Sequence, residues 1–139
     1  MLKKKKKQQI TSGQVIIPGN HPNPPEQHEV DAAMLLTRHY LCDVEFILPV
    51  DDYLRNSADI MMLGVTWELK CPKGNSKSTI QNQFRRGSKQ ARNIIIDTRR
   101  TKLKYDVIEK RVLVESRNRP YMKKIILIDK FDKIIEFKK

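Results

Sequence analysis

The sequence is poor in cysteine and in aromatic residues, and it has no long apolar segment. Its two cysteines, Cys42 and Cys71, form no Cys-x-x-Cys pattern and have no histidine at a ligand-like spacing, so no structural zinc site is predicted. No apolar run is long enough to span a membrane or to complete a signal peptide behind the N-terminal lysines. Aromatic residues make up only 6% of the chain, which argues against an extended surface for stacking bases.

Acidic residues are also scarce compared with basic ones. The chain has 28 lysines and arginines against 16 aspartates and glutamates, a formal charge of +12. Such an excess favours a polyanionic partner, and nucleic acid is the first candidate, recognised through its backbone and shape. A length of 139 residues with 39% hydrophobic residues is sufficient for one domain with a core.

The composition changes after about residue 23. Residues 1–23 contain a lysine run followed by glycine, proline and polar residues, which is typical of a flexible basic arm. Residues 24–139 are expected to form the folded domain.

The most informative pattern is Asp-x8-Glu-x-Lys, at Asp59, Glu68 and Lys70. It lies across two β-rich runs, Ala58–Met62 and Val65–Cys71, joined by Leu63 and Gly64. A two-residue turn with glycine in its second position predicts a hairpin whose register is fixed. Counting outward from the turn, Asp59 falls opposite Glu68, with Cβ atoms about 5 Å apart.

Alternation along a strand places Glu68 and Lys70 on one face and Trp67 on the other, toward the core. Two opposed carboxylates repel each other unless a cation lies between them. We therefore expect Asp59 and Glu68 to hold a divalent metal, with Mg²⁺ preferred and Mn²⁺ or Zn²⁺ as alternatives. Lys70 would assist the nucleophile or stabilise charge on phosphorus, which predicts phosphodiester hydrolysis. The alternative is that these residues only form the solvated face of a hairpin.

The remaining elements are predicted from periodicity and turn signals. They are a helix at Glu26–Leu41, a strand at Val44–Leu48, a helix from a capping box at Ser78 to about Arg92, a strand at Ile94–Ile96, a helix at Lys104–Glu115, and strands at Lys123–Asp129 and Lys133–Phe137. With the hairpin, this gives an α/β domain with the core order α-β-β-β-α-β, extended by a C-terminal helix and a β-hairpin.

This order and the spacing of Asp59, Glu68 and Lys70 resemble the PD-(D/E)XK nuclease superfamily, which has a restriction-endonuclease-like core with a mixed central sheet. Ala58 stands where the superfamily's motif has proline. More narrowly, the stretch from His28 to Arg100 resembles the C-terminal nuclease domains of contact-dependent growth inhibition toxins of the CdiA type. The resemblance implies a metal-dependent endonuclease acting on RNA, with tRNA first, and it implies that Glu29 is an additional catalytic carboxylate.

Several further assignments had competing interpretations. Gln83, Arg86 and Lys89 on the second helix are expected to contact substrate, although a basic helix face is often only solvated. Glu29 would also stabilise a helix N-terminus without any catalytic role. Asp97, at the end of a buried strand, would belong to a site, cap the following turn or pair with Arg99.

The toxin resemblance also implies a partner and a place of action. We expect an acidic immunity protein, action in the cytoplasm, and delivery as part of a larger secreted toxin, with no association with a membrane. Two other functions are compatible with the sequence. One is a DNase of the same fold, and the other is a nucleic-acid-binding or regulatory module without catalysis.

Overall fold

A computed structural model describes residues 13–20, 23–47, 58–87 and 92–138. In chain order the elements are β1 (Val15–Ile16), α1 (Gln27–Tyr40), β2 (Val44–Phe46), β3 (Ala58–Met62), β4 (Val65–Lys70), α2 (Thr79–Gly87), β5 (Asn93–Asp97), α3 (Tyr105–Asn118), β6 (Lys124–Ile128) and β7 (Ile134–Lys138). Within this part of the chain, no helix is long and apolar enough to cross a membrane.

The strands form a 7-stranded sheet in the order of the chain, β1 to β7. Strands β2, β3 and β4 pair in antiparallel fashion. Strands β4, β5 and β6 are parallel, and β7 returns antiparallel to β6 at the edge. The fold is therefore a mixed α/β fold, and the predicted order from α1 to β5 is confirmed, as is the C-terminal hairpin.

Strand β1 is the element that the sequence did not predict. It pairs in parallel with β2, although its residues lie in the stretch assigned to the flexible arm. A strand of two residues is too short to show an alternating pattern. Gly13 passes so close to the carbonyl of Cys42 that an added Cβ would lie 1.9 Å from the oxygen. The division of the chain at residue 23 stays a prediction, and residues 1–12 lie outside the described part.

Helix α1 covers the first face of the sheet. It begins with a reciprocal capping box between Glu26 and Glu29 and ends at Leu41 in the left-handed conformation, as helix ends commonly do. The buried face of the helix packs on inward-facing residues of several strands. This first core cluster includes Ala32, Ala33, Leu36, Phe46, Ile60, Trp67, Leu69, Ile95 and Ile128.

Helices α2 and α3 lie on the second face, over β5 and β6. Their buried residues form a separate core cluster with the isoleucines and leucine of those strands: Ile80, Phe84, Ile94, Ile96, Ile108, Val112, Ile125 and Leu127. Ile80 and Phe84, one helical turn apart on α2, form the described part of the buried side of this helix.

Most boundaries differ from the predictions by one residue, and the ends of β2 and α3 differ by two and three residues. Helix α2 begins at Thr79, directly after Ser78, and is described to Gly87. Residues 88–91, which the sequence assigned to this helix, are outside the described part. Strand β2 ends at Phe46, and Leu48 is likewise outside. Helix α3 continues to Asn118, and Glu115 and Ser116 near its end are buried.

Candidate active site on the β3–β4 hairpin

The hairpin has the register that the sequence predicts. Asp59 pairs with Glu68, Ile60 with Trp67 and Met62 with Val65. Leu63 and Gly64 both have left-handed backbone conformations, with φ of 55° and 78°, which is the signature of a type I′ turn. The Trp67 indole N–H donates to the carbonyl of Met62 at 3.0 Å and ties the core side of the hairpin to its turn.

Asp59, Glu68 and Lys70 lie on the face of the sheet opposite to α1. Trp67 and Leu69, which alternate with them, are buried in the α1 core, so strand alternation places the polar residues on the second face. On that face Glu68 neighbours Ile94 and Lys70 neighbours Ile96 of β5. The site therefore adjoins the core beneath α2 and α3 without being part of it.

Lys70 and Glu68 form an ion pair with little solvent access. The Lys70 ammonium lies 3.3 Å from a Glu68 carboxylate oxygen, and their side chains are only 5% and 14% exposed. Charges removed from water interact more strongly than charges in the solvent. This arrangement holds an ammonium and a carboxylate in fixed positions on the face that also carries Asp59.

The donor set at this position fits a hard cation bound by two carboxylates. Asp59 and Glu68 are direct cross-strand neighbours, and Mg²⁺ often takes one or two protein carboxylates and completes its shell with water and phosphate oxygens. Among the described residues, no three side chains of histidine, cysteine, aspartate or glutamate come together in a ready-made metal site. The Glu68 carboxylate would also be shared with Lys70.

Glu29 lies near the end of β4, with its carboxylate engaged at the start of α1. It accepts the backbone N–H of Glu26 at 2.9 Å. Burial raises the pKa of the Cys71 thiol, and the carboxylates of Asp97 and Glu29 raise it further. Glu29 is therefore close enough to act electrostatically on the residue after Lys70. The same contacts fit its helix-capping role, and its catalytic role stays a prediction.

The raised pKa of Cys71 also bears on the chemistry of this end of the strand. The causes named above keep the thiol protonated at neutral pH. A thiolate, rather than a thiol, is the competent nucleophile. The cysteine beside Lys70 is thus suited to packing, and it lies partly buried against the first core cluster.

The structure describes only some of the residues that are predicted to contact substrate on α2. The Gln83 amide donates to the carbonyl of Thr79 at 3.1 Å within the helix, and its side chain is half-buried. The side chain of Arg86 and the whole of Lys89 lie outside the described residues. A role for these residues in binding substrate stays a prediction.

Asp97 belongs to a structural ion-pair network. Arg99 contacts Asp97 at 2.9 Å and Asp132 at 3.0 Å, and the hydrogen bond with Asp97 is the main cause that raises the pKa of Arg99. Of the interpretations open from the sequence, the pairing with Arg99 and the capping of the following turn are both confirmed, since the Arg99 backbone N–H also donates to Asp97 at 3.0 Å.

Arg100 has a position that sequence reasoning missed. Its guanidinium donates to the carbonyl of Cys71 at 3.0 Å, directly after the strand that carries Glu68 and Lys70. A neighbouring contact joins the same two loops, because the Lys102 backbone N–H donates to the Asn75 side chain at 2.9 Å. The sequence shows only a run of basic residues here and gives no sign that one of them holds the end of β4.

A mixed sheet with helices on both faces, which carries a partly buried carboxylate–ammonium pair, defines a mixed α/β protein. Residues 55–134 match the family described as the contact-dependent growth inhibition CdiA C-terminal domain. The chain belongs to this family, whose members are toxin domains.

One solved structure supports the same fold. The chain is similar to a protein in the CdiA-CT/CdiI toxin and immunity complex from Burkholderia pseudomallei, at 18% identity, with a TM-score of 0.54. The similarity covers 91% of this chain and 100% of that one. The chain matches no curated protein sequence.

Proposed function

We propose that the chain is a metal-dependent endonuclease of the PD-(D/E)XK type that cleaves RNA, with tRNA as the first substrate. The observation that carries this proposal is the juxtaposition of Asp59, Glu68 and Lys70 on one face of the sheet. Asp59 pairs with Glu68 across the two strands, and a Glu68 carboxylate oxygen lies 3.3 Å from the Lys70 ammonium nitrogen. The order α-β-β-β-α-β from α1 to β5 supports the superfamily assignment.

In this proposal each residue has a separate task. Asp59 and Glu68 would hold the divalent cation, which neutralises phosphate charge and activates water when it is bound. The Lys70 ammonium, fixed by Glu68 and largely shielded from solvent, stabilises the negative charge that develops on the phosphoryl oxygens. Glu29, near the end of β4, adds a further carboxylate to this region.

The family supports the biological setting that we propose. A contact-dependent inhibition toxin domain would reach its target as part of a larger secreted protein and act on RNA in the cytoplasm of the recipient cell. The similar Burkholderia protein was solved with an immunity protein. We propose an acidic immunity partner for this chain, because the formal charge of +12 favours association with an acidic surface.

Cleavage of total tRNA and of plasmid DNA by the purified chain tests this function. We expect tRNA to be cut in Mg²⁺ or Mn²⁺, and cutting to stop with chelator and in Asp59→Asn. Asp31→Asn is the matched control, because Asp31 is an exposed aspartate of α1. If only the DNA is cut, the substrate is DNA rather than RNA. If the chain binds nucleic acid in a salt-sensitive way but cuts neither polymer, and binding does not depend on metal, the chain is a binding module rather than an enzyme.

A further inference from the structure

A cleft of about 310 Å³ lies between α2 and α3. The apolar residues of its lining, called the floor, are Ile80 of α2, Leu103 of the loop before α3, and Val107 and Val114 of α3. Val107 is 45% exposed, so an apolar side chain of α3 is open to a ligand in this cleft. A floor of this kind favours a flat or apolar group over a hydrated ion.

The charged residues of the lining, called the rim, are mostly basic. Lys77, Lys110 and Arg111 line it, and Lys77 and Lys110 are exposed. Arg111 is partly engaged, since it lies 3.4 Å from Glu115. Asp106, the acidic residue of the lining, accepts the backbone N–H of Val107 at 3.0 Å. Two exposed ammonium groups therefore dominate the charge at the mouth of an apolar cleft.

The cleft is connected to the β3–β4 site through one loop. Strand β4 ends at Lys70, and the loop that follows it leads to Lys77 and then to α2. The neighbouring loop before α3 is tied to it by the Arg100–Cys71 and Lys102–Asn75 hydrogen bonds. Lys73, Lys102 and Lys104 are exposed on these joined loops. A lysine-rich surface thus runs from the active-site strand to the cleft.

We propose that the α2–α3 cleft is a second substrate-binding site that takes one unpaired nucleotide of a single-stranded nucleic acid. The base lies on the apolar floor, and the adjoining phosphates contact Lys77 and Lys110. A duplex keeps the faces of its bases stacked on one another, whereas a single strand can offer an unstacked base, so the cleft selects single-stranded segments. This inference rests on the proposed nuclease function and specifies how that enzyme would hold a strand beyond the cut position.

The rim is tested by binding of a fluorescent single-stranded RNA oligonucleotide across a range of salt concentrations. The protein carries Glu68→Gln throughout, so that the RNA is not cut. Adding Lys77→Met and Lys110→Met should reduce the salt slope by about 1.4, since each phosphate contact with a single strand contributes about 0.7. Arg117→Met with Lys123→Met removes the same charge from two exposed residues elsewhere and should leave the slope unchanged. Equal slopes for the two double variants would overturn the rim contacts.

The floor is tested by a second matched pair on α3. Val107 and Leu113 are exposed to similar degrees, 45% and 40%, but only Val107 is among the residues that line the cleft. Val107→Glu should weaken binding of the single strand about tenfold more than Leu113→Glu, which is the size of one base contact. Binding of an RNA duplex should change equally in both variants.

The outcomes separate this inference from the proposed function. If the wild-type protein cuts RNA but Val107→Glu and Leu113→Glu bind the single strand equally, the cleft proposal is wrong and the nuclease proposal stands. Wild-type protein that cuts neither RNA nor DNA would overturn the nuclease, while the matched binding pairs still report on the cleft. An effect of Val107→Glu on a protein partner only, with nucleic-acid affinity unchanged, would also overturn the cleft proposal.

Discussion

The second face of the sheet has two halves of opposite character. Over β5 and β6 it is apolar and covered, with Ile94 and Ile96 fully buried beneath α2 and α3. Over β3 and β4 it carries Asp59, Glu68 and Lys70, and Met61 there is 39% exposed. The halves meet along the β4–β5 ladder, where Lys70 is the direct neighbour of Ile96.

The contrast explains why Lys70 is buried although it lies on a polar face. Its neighbour in β5 belongs to the covered half, so its side chain is shielded on that side while Glu68 supplies the opposite charge. A lysine is seldom buried without such a partner. The boundary between the covered and the polar half is therefore the place where the fold can hold a charged group in low solvent access.

The largest effect is expected where the polar half meets the covered half. Lys70→Met keeps the length of the side chain and removes its charge, and it should lower kcat by about 100- to 1,000-fold, as loss of one transition-state donor does. Substrate affinity should change little. Lys123→Met, at an exposed lysine away from this surface, is the control in a single-turnover cleavage assay. A rate for Lys70→Met within threefold of the control would rule out its catalytic role.

The covered half should respond through stability instead. Ile96→Ala removes part of a fully buried side chain and should reduce the free energy of unfolding by about 2–5 kcal/mol, because a cavity is left in the core. Met61→Ala, on the same face of the sheet but in the polar half, should cost less than about 0.5 kcal/mol. Urea denaturation of both variants measures the difference. Similar losses would mean that the polar half is packed like the covered one.

A smaller loss of stability is expected at the far edge of the covered half. The Lys138 ammonium of β7 donates to the carbonyls of Ser116, Arg119 and Met122 at 3.1–3.2 Å and so caps the end of α3. Lys138→Met should cost about 1–2 kcal/mol, because these carbonyls lose a charged donor. Lys133→Met, an exposed lysine before β7, is the control in thermal unfolding. An unchanged melting temperature for Lys138→Met would show that the cap contributes nothing.

The smallest effect is expected at the turn that sets the register of the polar half. Gly64 has a φ of 78° and open space around the position of a Cβ atom, so Gly64→Ala introduces backbone strain without a clash. The expected cost is about 1 kcal/mol. Gly19→Ala, where an added Cβ also meets nothing and no positive φ is present, is the comparison. Equal stability of the two variants would contradict the left-handed geometry of the turn.

Much of the fold could be predicted from local patterns. The hairpin and the pairing of Asp59 with Glu68 follow from the positions of Leu63 and Gly64, because a two-residue turn leaves only one register. The buried β5 strand follows from three consecutive isoleucines. Strand β1 could not be predicted, since its two residues join the sheet through pairing with β2 rather than through any pattern of their own.

The site could be predicted only as far as strand alternation reaches. Alternation places Glu68 and Lys70 on one face, but the shielding of Lys70 depends on β5, which is distant in sequence. The hydrogen bond from Arg100 to the Cys71 carbonyl also depends on loops that meet only in the folded chain. The same is true of the cleft between α2 and α3. Such contacts carry no periodic signal, and a basic run looks the same whether its members are paired, as Arg99 is, or exposed, as Lys102 is.

The most direct test of the account is the rate of RNA cleavage in Mg²⁺ by the wild-type chain and by Glu68→Gln, with the melting temperature of each. Cleavage should depend on metal and fall at least about 100-fold in Glu68→Gln, while Val112→Ala, which shortens a fully buried side chain of α3, should lose stability but, when folded, retain the rate. Equal rates for the wild type and Glu68→Gln would contradict the claim that the polar half of the second face is the catalytic site.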